Sequence, residues 1–144
     1  MDLDVAFEFA RPRHHGVLTT LRRHGRPQLS NIMYVLGDDD VVRISVTDDR
    51  AKTRNLRRDD RASLYVAGDD FWSYLVLDGT AELTPVAADP DDEVVEELIA
   101  VYRQVSGQEH PDWDEYRRAM VADRRLVVRL LPERAYGMVP PPVT

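Results

Sequence analysis

The stretch VVRISVT at 41–47 sets the terms for the rest of the chain. Val42, Ile44 and Val46 alternate with Arg43 and Ser45, the period-two pattern of a strand with one buried face. Other runs read the same way. GVLTTLRRHGRPQLSNIMYVL supplies two extended segments around a turn at His24-Gly25, closed by Gly37-Asp38-Asp39-Asp40. ASLYVAG at 62–68 and YLVLDGTAELTPV at 74–86 supply two more, and LVVRLLP at 126–132 closes the set, with AYGMV as its ragged end. Gly79 inside the longest run marks a bulge of the kind a strongly curved sheet needs. Strands this long invite edge pairing, which closure into a barrel removes.

The last third switches to helical spacing. Asp89 is an N-cap candidate with Pro90 at the first helical position and acid behind it. Val94, Val95, Leu98, Ile99, Tyr102 and Val105 then form one apolar stripe ending near Ser106-Gly107. Asp112 to Glu115 reads as a capping box opening a second helix, with Trp113, Tyr116 and Met120 inward. With RAKTRNL at 50–56 as a third short helix, the expectation is a mainly β chain. It is an antiparallel barrel with helices over its openings, in one domain spanning 1–144.

Composition removes several chemistries. There is no cysteine, so disulfides, thiolate metal sites and a Cys nucleophile are excluded. A net charge of −7 without a broad basic stripe argues against nucleic acid as partner. No apolar run approaches a membrane span, and MDLDVAFEFARPRHH is acidic where a secretory signal is basic and then apolar, so a cytoplasmic protein is expected. His14-His15 lacks further ligands at metal-site spacing, and neither a Ser-His-Asp set nor a carboxylate pair is evident. No metal site and no catalytic side chain are expected.

One residue stands out chemically. Of 19 basic residues, Lys52 is the only lysine, and it falls in the first turn of the short helix after Asp48-Asp49. An ammonium is a compact three-donor charge that a guanidinium does not imitate. Cations at a helix N-terminus oppose the dipole, and a bound anion held by amides, Arg50, Lys52 and Thr53 reverses that penalty. The other reading is a solvated basic turn paired with Asp48, Asp49, Asp59 and Asp60; on the residues alone the two stand level. Gln28, Ser30, Ile32 and Tyr34 share one strand face, with Asn31 on the other. That row suits either a ring with hydrogen-bonding edges or an exposed strand end. Trp72, beside Phe71 and Tyr74, reads as a barrel-end plug or an interface aromatic.

Four segments carry a resemblance. GRPQLSNIMY at 25–34, SVTDDRAKTRNLRRDDRASLYV at 45–66, WSYLVLDGTAELTP at 72–85 and DWDEYRRAMVADRR at 112–125 resemble the pyridoxamine 5'-phosphate oxidase-like split-barrel proteins. Within these they are similar to the actinobacterial branch that uses coenzyme F420, a deazaflavin. The resemblance implies an FMN-binding type of split β-barrel, homodimeric, with the cofactor at the dimer interface. It assigns Arg50, Ala51, Lys52, Thr53 and Asn55 to the string that holds the cofactor phosphate. Gln28, Ser30, Asn31, Ser45 and Val46 are assigned to the ring and its side chain, and Trp72, Ser73 and Tyr74 to a stretch approaching from the other subunit. Arg54, Arg57 and Arg58 lie beside the string as candidates for the acidic tail of F420. The part of the substrate site that true pyridoxamine phosphate oxidases build from a C-terminal extension has no match among these segments, so that enzyme's own activity is not the one expected.

The implied activity is hydride transfer from reduced F420 to an unsaturated small molecule, the cofactor carrying the chemistry. The alternatives are an FMN-dependent, pyridoxamine phosphate oxidase-like oxidase or reductase on the same barrel, or a non-catalytic F420-, flavin- or haem-binding protein.

Overall fold

The alternating runs all join one antiparallel sheet. A computed structural model describes residues 1–141. In chain order its elements are α1 (Leu3–Ala10), β1 (His15–Leu21), β2 (Pro27–Met33), β3 (Val35–Leu36), β4 (Val42–Thr47), α2 (Ala51–Arg58), β5 (Arg61–Ala67), β6 (Tyr74–Leu83), α3 (Glu93–Ser106), α4 (Trp113–Ala122) and β7 (Arg125–Met138). The strand order is β2-β1-β5-β6-β7-β4-β3. Its two edges, β2 and β3, are consecutive in the chain and separated by Tyr34 alone, so the sheet curls until its edges meet: a split β-barrel.

Tyr34 makes that corner. It is fully buried; its N–H donates to the His14 carbonyl at 2.8 Å and its hydroxyl to the Ala10 carbonyl at 2.7 Å. Burial raises its pKa far above the ordinary tyrosine value. The single run read through 27–36 is therefore two strands that pair with opposite sides of the sheet.

Inside the barrel lie Leu18, Ile44, Leu64, Leu75, Leu77, Leu126 and Leu130, none with exposed surface. Each contributes about 1.5–3 kcal/mol of apolar burial. The bulge expected at Gly79 is present: Asp78 faces Arg134 and Gly79 faces Pro132, leaving Glu133 as the extra residue. A side chain at Gly79 would run into the Leu131 backbone.

The helices depart from expectation in four ways. A fourth helix, α1, precedes the strands, capped by the Asp2 side chain accepting from the Asp4 N–H. Its Ala6, Phe7, Phe9 and Ala10 plug the barrel interior. α3 begins at Glu93 with Asp92, not Asp89, as N-cap, the Asp92 carboxylate accepting from the Val95 N–H; Pro90 sits outside the helix. Asp112 caps α4 through the Glu115 N–H, but its own N–H goes to His110 Nδ1, so only half of the box forms.

Finally, α3 and α4 do not cover an opening. They pack on the outer face of β4 and β7 around a second core of Val94, Val95, Leu98, Ile99, Met120 and Val127. Glu97 of α3 braces this layer, accepting from Arg43 Nε at 3.0 Å and Arg129 Nε at 2.9 Å. The AYGMV segment is no ragged end either: β7 runs to Met138 paired with β6.

Candidate functional site

β4 alternates Val42, Ile44 and Val46 into the barrel and Arg43, Ser45 and Thr47 outward. The chain then turns at Asp48-Asp49 into α2. Where the α3–α4 layer meets β2 and the start of α2, a cleft of about 580 Å³ opens. Lys52, Ser45, Asn31 and Arg125 supply its polar side, and Val101, Tyr102, Val105, Tyr116 and Met120 its apolar wall.

The charge pattern around Lys52 bears on the two readings the sequence left level. Asp48 accepts from Arg57 at 2.5 Å and Arg124 at 3.0 Å, and Asp59 pairs with Arg61 at 2.8 Å. Asp49 accepts from the Thr47 hydroxyl at 2.9 Å. No aspartate here pairs with Lys52, and among the described residues no carboxylate lies within ion-pair distance of Lys52, Arg50 or Arg125. Burial first, then Arg50 and Arg125, holds the Lys52 pKa below its ordinary value. α2 has no side-chain cap, since Arg50 occupies that position without a capping hydrogen bond, and no acid stands in the first turn. Uncapped amides and an unneutralised, half-buried ammonium therefore share one place.

The rest of the string divides by burial. Arg50 and Ala51 are exposed at the helix start. Thr53 is fully buried and its hydroxyl donates to the Thr47 carbonyl at 2.8 Å, so its proton is already committed to the loop. Asn55 is buried too, its Nδ2 donating to Thr20 Oγ1 at 3.1 Å while its Oδ1 accepts from Arg58 at 3.0 Å. Both brace α2 against the barrel. Of the arginines considered for an acidic tail, Arg57 is taken by Asp48, and Arg58 by Asn55 and the Leu21 carbonyl at 2.9 Å. Arg54 makes no ion pair among the described residues.

The two faces of β2 are grouped as the alternation predicts, and the register shows which way each looks. Gln28 and Ser30 stand opposite Thr20 and Leu18, the barrel-side residues of β1, so their face turns inward; Asn31 lies opposite Val17 with Leu29 and Met33 on the outer face. It is Asn31 that borders the cleft. Ser45 lines it, whereas the Val46 side chain is buried in the barrel and has only its backbone to offer.

Trp72, Ser73 and Tyr74 lie outside the cleft of their own chain. Asp70 builds their turn, accepting from the Trp72 N–H at 2.7 Å and the Ser73 N–H and hydroxyl at 3.0 Å each. Phe71 and Trp72, 84% and 72% exposed, project from it edge to face. They are no plug for their own barrel.

Sequence reasoning missed Arg125 altogether. It is one of 18 arginines, and nothing local distinguishes it; only the docking of α3 and α4 makes it a cleft residue. Tyr116 is no acid–base candidate: its hydroxyl donates to the Leu98 carbonyl at 3.2 Å and burial pushes its pKa up to about 12. Among the described residues no group of three His, Cys, Asp or Glu side chains is arranged to hold a metal.

Solved structures share this fold at low identity. An F420 reductase superposes with a TM-score of 0.64 at 23% identity, over 89% of this chain and 92% of that one. A FAD-binding protein of Mesorhizobium loti gives 0.66 at 17%, over 94% and 90%. The haem storage protein HutZ of Vibrio cholerae gives 0.67 at 19%, over 94% and 93%. Proteins named for three different cofactors thus carry one barrel, and at these identities they show the fold alone. The family model for pyridoxamine 5'-phosphate oxidase matches residues 4–138, nearly all of the barrel and its helices, and this chain belongs to that family.

Proposed function

We propose that the protein is a cytoplasmic, homodimeric oxidoreductase that uses F420 to reduce an unsaturated small molecule, with the phosphate-bearing arm of the cofactor held at the start of α2. The observation carrying this reading is Lys52: a half-buried ammonium without a carboxylate partner, beside uncapped amides, is a poor solvated turn and a good anion cradle. When bound, a reduced deazaflavin supplies the hydride. The chain's own residues bind and orient. Lys52, Arg50 and the amides of Ala51 and Lys52 hold the anion, Asn31 and Ser45 offer hydrogen bonds along the cleft, and the α3–α4 wall excludes water. Water supplies the proton to the product, since the described cleft offers no tuned acid. Tyr116 is too weak, and Lys52 is occupied with the anion. The choice of F420 over FMN is supported by the segment resemblance and by the likeness to an F420 reductase.

The outer sheet face supports the dimer. Leu29, Met33, Tyr65, Tyr136 and Met138 stand exposed on it across β2, β5 and β7, with Phe71 and Trp72 at its rim. An apolar face of this extent on an isolated chain is a surface to be covered. Asn31 and Met33 border both this face and the cleft, so a second subunit's Trp72 loop has a route to the cofactor. The cover buries about 2,000 Å² or more, the obligate class.

The test is direct. Protein from a host without F420 biosynthesis is titrated with F420 and FMN by fluorescence, then assayed for oxidation of reduced F420 against quinones, enones and tetrapyrroles. Tighter F420 binding, with turnover of at least one acceptor, is expected. Equal or tighter FMN binding moves the reading to a flavin enzyme; tight binding without turnover moves it to a carrier.

A further inference from the structure

Arg125 is the one cleft residue whose arrangement nothing above explains. It opens β7 directly opposite Thr47, on the same outer face as Ser45. Its Nη1 reaches the Ser45 hydroxyl at 3.4 Å, while its Nε is buried without any hydrogen-bond partner. A guanidinium N–H withdrawn from solvent and left unmade costs more than an exposed one, and charge raises that cost.

Its charge is also out of place. Arg125 acts on Lys52, lowering its pKa, and on Tyr116 across the cleft, so its field reaches both walls. Two cations turned toward one half-buried space, neither with a carboxylate among the described residues, repel each other. The neighbouring Arg57 and Arg124, by contrast, each have an ion-pair partner in Asp48. Arg125 is held in place as well. Arg124 sits in the left-handed region at φ 53°, pinned by its N–H to the Val121 carbonyl at 3.1 Å and by Asp48 N–H donating to its carbonyl at 3.0 Å. For a non-glycine residue that conformation is uncommon, and it fixes where β7, and so Arg125, begins.

We propose that Arg125 is the second arm of the anion cradle: Lys52 from α2 and Arg125 from β7 grip one phosphoryl group from opposite sides, with Ser45 orienting the guanidinium. This rests on the reading of Lys52 as holding a phosphate-bearing cofactor. A ligand phosphoryl oxygen supplies the acceptor that Nε lacks and the negative charge that the two cations require. The planar fork gives direction where the ammonium gives charge.

The experiment measures binding of FMN, riboflavin, F420 and inorganic pyrophosphate to the parent, Arg125→Gln, Lys52→Gln and the double variant, with melting curves as a fold check. Arg125→Gln is expected to weaken FMN, F420 and pyrophosphate by about tenfold or more and to leave riboflavin unchanged. The double variant should lose less than the product of the single losses, because both arms hold one group. Arg125→Lys, which keeps the charge without the fork, should fall between, and it serves if the glutamine variant does not fold.

A second readout is free of any ligand. Protein labelled with ¹³C-lysine has a single lysine side-chain signal, and in Arg125→Gln it should titrate at higher pH than in the parent. Undiminished phosphoryl binding by a folded Arg125→Gln, with binding lost in Lys52→Gln, overturns the clamp and leaves the cofactor reading standing. Pyrophosphate binding that depends on both residues, in a parent that takes neither FMN nor F420, keeps the clamp and overturns the cofactor. If no phosphoryl compound binds the parent, both fall.

Discussion

Lys52→Met removes a charge and keeps most of the stem, which makes it a cleaner probe than truncation. Lys52 is half-buried on the cleft wall, and no carboxylate among the described residues neutralises its charge. Its folded pKa lies below the ordinary 10.5, so the unfolded chain binds that proton more tightly than the folded one. The cost of holding the charge is therefore present in full below the folded pKa and fades as pH rises through the window up to 10.5. Without cofactor, the variant should melt at or above the parent near neutral pH, and the gap should close as pH climbs through that window.

Binding moves the other way. A charge-assisted contact contributes about 1.5–3 kcal/mol, so affinity for a phosphate-bearing cofactor should fall by roughly 10- to 150-fold. Partial exposure of the ammonium favours the lower end of that range. The parent's affinity should also weaken with salt, because an exposed part of the field is screened within about 8 Å at physiological ionic strength. Thermal melts across pH and fluorescence titrations read both effects. A Lys52→Met protein that is less stable than the parent and binds cofactor equally well would refute the reasoning on both counts, and the lysine would then be a structural charge.

Four further outcomes test other parts of the account. Thr53→Val deletes the buried hydroxyl that donates to the Thr47 carbonyl and should cost about 1–3 kcal/mol in urea unfolding, with cofactor affinity unchanged; lost affinity at full stability would return Thr53 to the binding site. Gly79→Ala must displace the Leu131 backbone and should cost about 1–3 kcal/mol; an unchanged urea midpoint would show the bulge to be soft. Arg129 and Arg43 hold the Glu97 carboxyl below its ordinary 4.5. The stability this contributes is full above that value and lost as pH falls through the depressed one, so an acid melting series should flatten in Glu97→Gln. Tyr136→Asp in the exposed apolar face should yield monomers by sedimentation velocity; unchanged mass would move the interface elsewhere.

Legibility in the sequence followed the range of the interactions involved. Alternation around Val42, Ile44 and Val46, the bulge at Gly79 and the apolar stripe of α3 are local signals, and they came out as read. The lone lysine was visible because composition made it rare. Tyr34 was not readable as a break, since what splits the strand is its hydrogen bonds to His14 and Ala10, distant partners that no period announces. α1 carries its signals in the Asp2 cap and in Phe7, Phe9 and Ala10, but over so short a segment they do not distinguish a helix from an acidic, irregular terminus. The β2 faces were grouped correctly, yet which group looks into the barrel depends on register with β1. Thr53 and Asn55 match a binding string by residue type while their hydrogen bonds serve the scaffold, a distinction only coordinates reveal. Arg125 is the far case: its role arises from packing α3 and α4 on the outer face of the sheet.

The central claim is that a cofactor's anionic group sits on Lys52, and the chain offers an unusually clean way to observe it. With one lysine in the sequence, ¹³C-lysine-labelled protein gives one side-chain signal to follow during titration with F420. The account predicts that this signal shifts saturably, in step with ring fluorescence, and that the Lys52 pKa rises on binding, because the anion favours the charged form. A cofactor that binds by fluorescence while the lysine signal and its titration stay where they were would contradict it.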